Sequence, residues 1–431
     1  MGISTEETLD IERARKLLLV TAEQQNLPRN SKVLATAQEM MTASVARWQT
    51  FWGVEPDEAT EQALHLLAHK ARAVTPPPPH SIERIKRACA QGDPHTALGY
   101  DGWRPRDWAS LPPAGLQMLA SILEEVEASL AWPDPVLQNV VCFIGKSPTE
   151  EAERPITLTS GLYRLWAVLT KSAIQRWEDD TQGFWDKAIR GSSALRAAVL
   201  REFAHELGAC LGTTSATLQL DLEKFFDTIN VATLVTKALA LQFPPRELYL
   251  TLQVHTAARV LRAEGHHSPA LLTQRSIIAG CGRSIAFTRA LLHEVLDRYH
   301  RQFMPITRLQ SWVDDITALA IGSTQQVRTR FAKATVWLLD QLQALGLRVS
   351  PKTTVVASDS QLAKQLASSM AQAGHRVQWA SLARDLGIQT TVARRRRTTV
   401  QSQRLHKARS TMTQARRMTA ALKATRRVIL G

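Results

Sequence analysis

Cysteine is scarce in this 431-residue sequence: Cys89, Cys142, Cys210 and Cys281 are scattered, with no CxxC pair among them. That spacing argues against a zinc site or a disulfide framework and suits a reducing compartment. No apolar run approaches the roughly 18 residues needed to span a bilayer. The polar, acidic start from Met1 to Asp10 carries no secretory signal. The expectation is an intracellular chain without a membrane partner. Internal repeats are absent as well. Acidic residues are missing from one end, where Thr391 to Gly431 holds 12 Lys plus Arg and no Asp or Glu. The net charge is +14, so the rest of the chain is close to neutral and the basicity is local.

What is present is an ordinary globular composition, 44% hydrophobic and 21% charged, enough for a large core shared by two or three domains or subdomains. A one-signed segment on a near-neutral body fits either a polyanion-binding surface or a solvated tail. Periodicity favours the first. Leu405, Ala408, Met412, Ala415 and Leu422 recur at helical spacing with Arg404, Lys407, Arg409, Arg416, Arg417 and Lys423 between them. That is the pattern of a helix with one packed face and basic flanks. Arg394 to Arg397 reads equally as a nuclear signal or a phosphate-binding cluster.

Met1 to about Val74 is helix-like and closes on the run Pro76-Pro77-Pro78-Pro79, a stiff spacer. From His80 to about Ser193, helical pieces alternate with turns such as Gly99-Tyr100-Asp101-Gly102 and Lys146-Ser147-Pro148. Thr217 to Ala357 is the best-organised stretch. Thr217, Gln219 and Asp221 alternate with Leu218, Leu220 and Leu222, a strand with one apolar face that ends in a carboxylate. Asn230 opens a helix, and Ser284 to Tyr299 reads as a buried one. Leu309–Val313 and Ile316–Ile321 are strands meeting in a tight hairpin at Asp314-Asp315. Ser323 and Gln326 form a capping box for a helix that Gly346 stops, and Thr353–Ala357 reads as the last strand. This order is the split β-α-β-β-α-β arrangement of a ferredoxin-like sheet. It would lay the Asp221 strand beside the Asp314-Asp315 hairpin.

Three converging carboxylates repel unless a cation sits among them, and a hard divalent ion with oxygen ligands is the natural partner. Asp221, Asp314 and Asp315 are therefore candidate metal ligands, with simple turn chemistry as the plain alternative for Asp314-Asp315. Asp227 reads as a cap for the next helix. His266-His267 reads as a loop and not as a metal pair. Trp48, Trp52, Trp103, Trp108 and Trp132 read as core or interface anchors.

The segment Leu220-Asp221-Leu222-Glu223-Lys224-Phe225-Phe226-Asp227 resembles the first catalytic motif of reverse transcriptases, particularly those of non-LTR (LINE-type) retrotransposons and group II introns. Trp312-Val313-Asp314-Asp315 is similar to their aromatic-x-Asp-Asp motif, and Gly280-Cys281-Gly282-Arg283-Ser284 to their Gln-Gly-Cys-Pro-x-Ser segment. Lys146 followed by Arg154-Pro155-Ile156, the Gly99–Gly102 turn, Gly346-Leu347 with Lys352-Thr353, and Leu386-Gly387 match further motifs in the family's order.

The resemblance implies an α+β right-hand polymerase that makes DNA on an RNA template from a DNA primer and dNTPs. Residues 1–79 would be a helical N-terminal extension and linker, 80–215 the fingers, 216–390 the palm and 391–431 the start of a basic helical thumb. It implies two Mg²⁺ ions, with Mn²⁺ as a substitute, held by Asp221, Asp314 and Asp315, and with the Leu222 carbonyl completing one shell. Lys146 and Arg154 would hold the triphosphate, and Gly280 would let backbone approach the nucleotide. Phe226 would exclude a 2′-hydroxyl, its alternative being a core aromatic beside Phe225. Lys352 would protonate pyrophosphate, its alternative being a solvated lysine.

Ala279 stands where the family has glutamine, Gly282 where proline is common and Trp312 where tyrosine or phenylalanine is usual. The first of these bears on nucleotide positioning and fidelity. The N-terminal seventy-odd residues are too short for an endonuclease domain, and Gly431 falls within what would be the thumb. These features leave two alternatives open: a catalytically silent nucleic-acid-binding remnant or fragment of a retroelement polymerase, and an RNA-dependent RNA polymerase, against which Phe226 argues.

Overall fold

The computed structural model describes residues 37–53, 58–147, 150–263, 266–273, 275–385, 388–390, 402–403, 405–410 and 412. Its centre is the alternating segment expected as a strand. In β3 (Thr214–Leu220), Ala216, Leu218 and Leu220 are buried on one face. The chain returns to this strand through α4 (Val231–Ala240), α5 (Gly282–Phe303), the hairpin β6 (Thr307–Trp312) and β7 (Asp315–Gly322), α6 (Ala332–Ala344) and β8 (Thr354–Ala357). The sheet order is β6-β7-β3-β8 followed by a fifth strand, with β7 and β8 antiparallel to β3 on its two sides. This is the split β-α-β-β-α-β arrangement. One correction applies: β8 is not the last strand. α7 (Ser360–Gln372) carries the chain back and β9 (Gln378–Ala380) pairs parallel to β8. Three residues, none of them buried, show no period in sequence, so this strand was illegible.

Local signals explain the boundaries. Asn230 Oδ1 accepts from Thr233 N at 2.8 Å and caps α4. Ser323 and Gln326 form a reciprocal capping box, followed by one π turn over Val327–Phe331 before α6. Gly346 ends the run at φ +77°, where a side chain would be strained. Leu218, Leu234, Leu296, Leu338 and Leu366 are fully buried between the sheet and α4 to α7. Each contributes about 1.5–3 kcal/mol through burial. The opposite face is polar and lies under α3 (Ala194–Cys210), where His205 Nε2 sits 2.7 Å from Thr217 Oγ1.

A second sheet has the order β2-β1-β4-β5, from β1 (Gln138–Ser147), β2 (Glu150–Leu158), β4 (Ala258–Ala263) and β5 (His266–His267). β1 pairs antiparallel with β2 and parallel with β4. His266-His267 is thus a short exposed strand paired to β4, where sequence pointed to a loop. The helix α1 (Ala37–Trp52) covers this sheet, with Met41, Trp48 and Trp52 against Val141, Leu261 and Leu271. A third cluster gathers Trp108, Leu123, Trp132, Tyr163 and Trp166, the last two from α2 (Gly161–Leu169). Four of the five expected tryptophan anchors are buried, whereas Trp103 is half exposed.

Ala383–Asp385 and Ile388–Thr390 form a separate small hairpin of β10 and β11. Residues 405–410 are helical as expected, but Leu405, Ala408 and Met412 on the expected packed face are exposed among the described residues. Among the described residues no helix is long and apolar enough to cross a membrane. Expectations resting on Met1–Asp10, Pro148, Leu386-Gly387, Arg394–Arg397 and the basic residues beyond Met412 fall outside the described residues.

Candidate active site

Asp221 is the first residue beyond β3 and is exposed. Its backbone is pinned by the loop before β8: Ser350 N–H donates to Asp221 O at 2.8 Å, and Thr353 Oγ1 lies 3.2 Å from both Asp221 O and Asp221 N. Glu223 N–H donates to Arg348 O at 2.8 Å, so Leu222 and Val349 form an isolated antiparallel bridge. In such a bridge the flanking residues make the bonds, which turns the Leu222 carbonyl away from Val349. Lys352 lies in this same loop with an exposed side chain.

Asp314 sits in the turn between β6 and β7, where Trp312 faces Asp315 and only Val313 and Asp314 lie between. Val313 has φ +58°. A β-branched residue in that region is strained, and such strain persists only where the surroundings enforce it. Here they do. Ser311 Oγ donates to Val313 O at 3.0 Å. The segment Trp185–Lys187 clamps β6 through Ser311 N to Trp185 O at 2.8 Å and Lys187 N to Ser311 O at 2.9 Å.

The register of β3 against β7, with Leu220 opposite Ile316, carries Asp221 to the end of the sheet where Asp314 lies. Burial raises the Asp314 pKa above the ordinary carboxylate value, and the charge of Asp221 raises it further. Its own backbone hydrogen bond and the Arg154 guanidinium oppose this rise. Two aspartates 93 residues apart in sequence, and an arginine 160 residues before the second, thus share one electrostatic neighbourhood. Asp315 is exposed at the start of β7. The three carboxylates do not close into a cluster: among the described residues, no group of three His, Cys, Asp or Glu is placed to hold a metal ion.

The remaining expected residues surround this pair. Arg154 is exposed in β2 opposite Ile144. Lys146 lies in β1 near a register irregularity between Gly145 and Ser147, and its side chain is outside the described residues. Phe225 is buried, while Phe226 is half-buried and packs edge-on against it at 5.2 Å. Gly280 has φ +88° with open space where a side chain would stand. It borders a cleft of about 530 Å³ lined by Ile156, Thr159, Arg164, Lys171, Ala279 and Arg283 among others.

Other roles were missed or misread. Asp227 does not cap the next helix, since Asn230 does; it accepts a hydrogen bond from Trp52 Nε1 at 3.0 Å. Asp101 accepts from Ser160 Oγ and Gly161 N, both at 2.7 Å, and so caps α2. A side chain at Gly99 would come within 2.3 Å of Thr159 O, which explains the glycine. The Gly99–Gly102 turn is therefore fastened to the end of the strand carrying Arg154. Sequence flagged the turn but held no sign of its distant partner.

Residues 144–389 match the reverse transcriptase (RNA-dependent DNA polymerase) family. The chain belongs to that family. No curated protein matches it. The matched span takes in Arg154, Asp221, Phe226, Gly280, Asp314 and Lys352, which lie on both sheets and the loops between them. Reverse transcriptases act on nucleic-acid templates and generally use divalent metal ions. The residues present fit such an ion: two carboxylates at one end of the sheet, one of them with raised proton affinity, are hard oxygen donors in need of positive charge.

Proposed function

We propose that this chain is an RNA-directed DNA polymerase from a retroelement of the non-LTR or group II intron kind. The observation that carries this reading is the meeting of Asp221 and Asp314, within reach of Arg154, at the end of one sheet. In this reading the five-stranded sheet is the palm, the second sheet belongs to the fingers and the basic helix begins the thumb. The primer 3′-oxygen forms a bond to the α-phosphorus of a dNTP, and the bond to the β-phosphate oxygen breaks to release pyrophosphate.

Asp221, Asp314 and the Leu222 carbonyl would hold Mg²⁺, with Asp315 beside them. When bound, two such ions lower the pKa of the attacking hydroxyl and neutralise the departing pyrophosphate. Arg154 and Lys146 neutralise the triphosphate, Arg154 in bidentate fashion. Phe226, half-buried with one side packed against Phe225 and the core, closes the space a 2′-hydroxyl would need. Gly280 leaves open space for the nucleotide or template. Lys352, exposed in the loop that pins Asp221, donates a proton to pyrophosphate. Phosphate contacts from the basic helix give affinity without sequence preference.

Primer extension on poly(rA)–oligo(dT) with Asp314→Ala as control tests this. Extension with dTTP that the variant loses is the expected result. Preferential use of ribonucleotides would move the reading to an RNA polymerase. Equal inactivity of both proteins, with nucleic-acid binding retained, would leave the silent remnant, for which Ala279 in place of the family's glutamine is the supporting observation.

A further inference from the structure

The hydrogen bond from Trp52 to Asp227 joins the N-terminal helix to the segment that follows Asp221, across 175 residues of sequence. It is not a lone contact. Trp52 is fully buried, and the Arg259 guanidinium lies over its ring at 4.4 Å. Arg259 is itself buried; its Nη2 donates to Ser276 Oγ at 2.9 Å. Burial lowers the Arg259 pKa to about 10, and the Asp227 charge opposes that. Beside Trp52 and one turn before it on α1, the Phe51 and Trp48 rings receive the Lys224 ammonium at 3.4 and 4.5 Å. Lys224 adopts φ +46°, an uncommon conformation for a residue with a side chain. From the other side, Ile277 N–H donates to Phe226 O and Ser276 N–H to Ile229 O, each at 2.9 Å. Residues 224–229 are therefore held between α1 and the strand-like approach to Gly280. Phe226 lies between the two residues that α1 grips.

A buried indole and guanidinium gathered on a half-buried carboxylate are a costly way to fill space, since apolar residues of similar volume stabilise as well or better. What such a set supplies is a single arrangement, because drawing the buried Trp52 N–H off Asp227 leaves a buried donor unpaired. We propose that Trp52 and Asp227 are positioning residues that fix the Phe226 ring, and through it the choice of deoxyribonucleotide over ribonucleotide. This rests on the polymerase reading and on Phe226 as the residue facing the sugar. The N-terminal helix then acts as a brace on substrate selection without touching substrate.

Trp52→Phe keeps a ring beneath Arg259 and removes the N–H together with the rest of the five-membered ring, a packing loss that Asp227→Asn does not share. It is to be compared with Asp227→Asn and with the double variant. Two measurements are made: the ratio of kcat/KM for dTTP over UTP in primer extension, and amide hydrogen exchange over residues 224–229 in the free protein. Each single variant is expected to lower the ratio by about tenfold, the scale of one hydrogen bond to a charged group. The double variant should fall no further than the worse single one, and exchange at Phe225–Thr228 should quicken while the five-stranded sheet stays protected. An equal loss with both nucleotides, or an unchanged ratio, overturns the proposal and leaves a structural contact. Exchange that stays unchanged overturns the brace itself. A wild-type protein that extends with neither nucleotide sinks the polymerase reading and sugar selection with it; the exchange result then still decides whether α1 holds residues 224–229.

Discussion

The five-stranded sheet presents its two interacting carboxylates from strands packed on four helices, whereas the four-stranded sheet presents Arg154 from an edge strand. β3 is central, with partners on both sides and a buried apolar face. β2 is at the sheet's edge, its register with β1 breaks near Lys146, and the sheet's small cluster is closed by the single helix α1. The difference teaches where rigidity is placed. Two like charges must be kept near each other against repulsion, which takes a deep core and a strained turn. A group that binds phosphate can sit on an exposed edge, because the ligand's own charge helps to order it.

Breaking the acidic side should have the largest effect on activity. Asp314→Asn is expected to reduce extension by at least roughly 10³-fold, about 4 kcal/mol of barrier, without loss of folding. The raised pKa of Asp314 means that the native state holds this proton more tightly than the unfolded chain. Stability in metal-free buffer should therefore fall as pH rises from the ordinary carboxylate value through the raised one. Asp314→Asn should flatten that fall, which thermal melts across acidic pH would read. A variant that melts well below wild type at neutral pH would contradict the placement of the pair.

The two cores should fail differently. Leu338→Ala beneath the five-stranded sheet should cost about 2–5 kcal/mol and lower the melting temperature of the whole protein. Trp48→Ala removes a side chain of comparable or greater value, about 3–5 kcal/mol, but from the small cluster under α1. Hydrogen exchange should then show β1 and β4 opening while β3 and β7 stay protected. Uniform loss of protection would show that the two sheets form one cooperative unit.

This asymmetry also governs what sequence could reveal. The five-stranded sheet follows local rules: alternation through Leu218 and Leu220, the Ser323 capping box and Gly346 each announce themselves within a few residues. That was enough to bring Asp221 to Asp314. The four-stranded sheet depends on β1 pairing in parallel with β4 more than a hundred residues later, and β4 carries the buried Arg259 within an apolar-faced strand. Hydropathy hides such a strand. The roles of Trp52 and Asp227 are tertiary in the same way, since nothing near either residue names the other.

Breaking the basic side should matter less. Arg154→Ala is expected to raise KM for dNTP by about 10–100-fold, the range of one charge-assisted contact, with a smaller change in kcat. It should also push the Asp314 pKa higher still, because Arg154 is an opposing charge there. Steady-state kinetics at saturating dNTP separates the two effects. A loss mainly in kcat would mean that Arg154 belongs with the acidic pair and not with the triphosphate.

The smallest expected effect lies on the outer face of the five-stranded sheet, where α3 places His205 against Thr217. Burial first, and then Arg201, lower the His205 pKa from 6.5 to about 4. The native state thus keeps this ring neutral where the unfolded chain would protonate it. The unfolded state binds more protons between those values, so stability is complete above about pH 6.5 and is lost as pH falls toward 4. Each pH unit in that window costs at most about 1.4 kcal/mol. His205→Gln retains a group able to bond Thr217 and cannot titrate, so its melting temperature should decline less steeply between pH 6.5 and 4.5. A decline as steep as that of the wild type would place the acid-sensitive contact away from His205 and remove it from this face of the sheet.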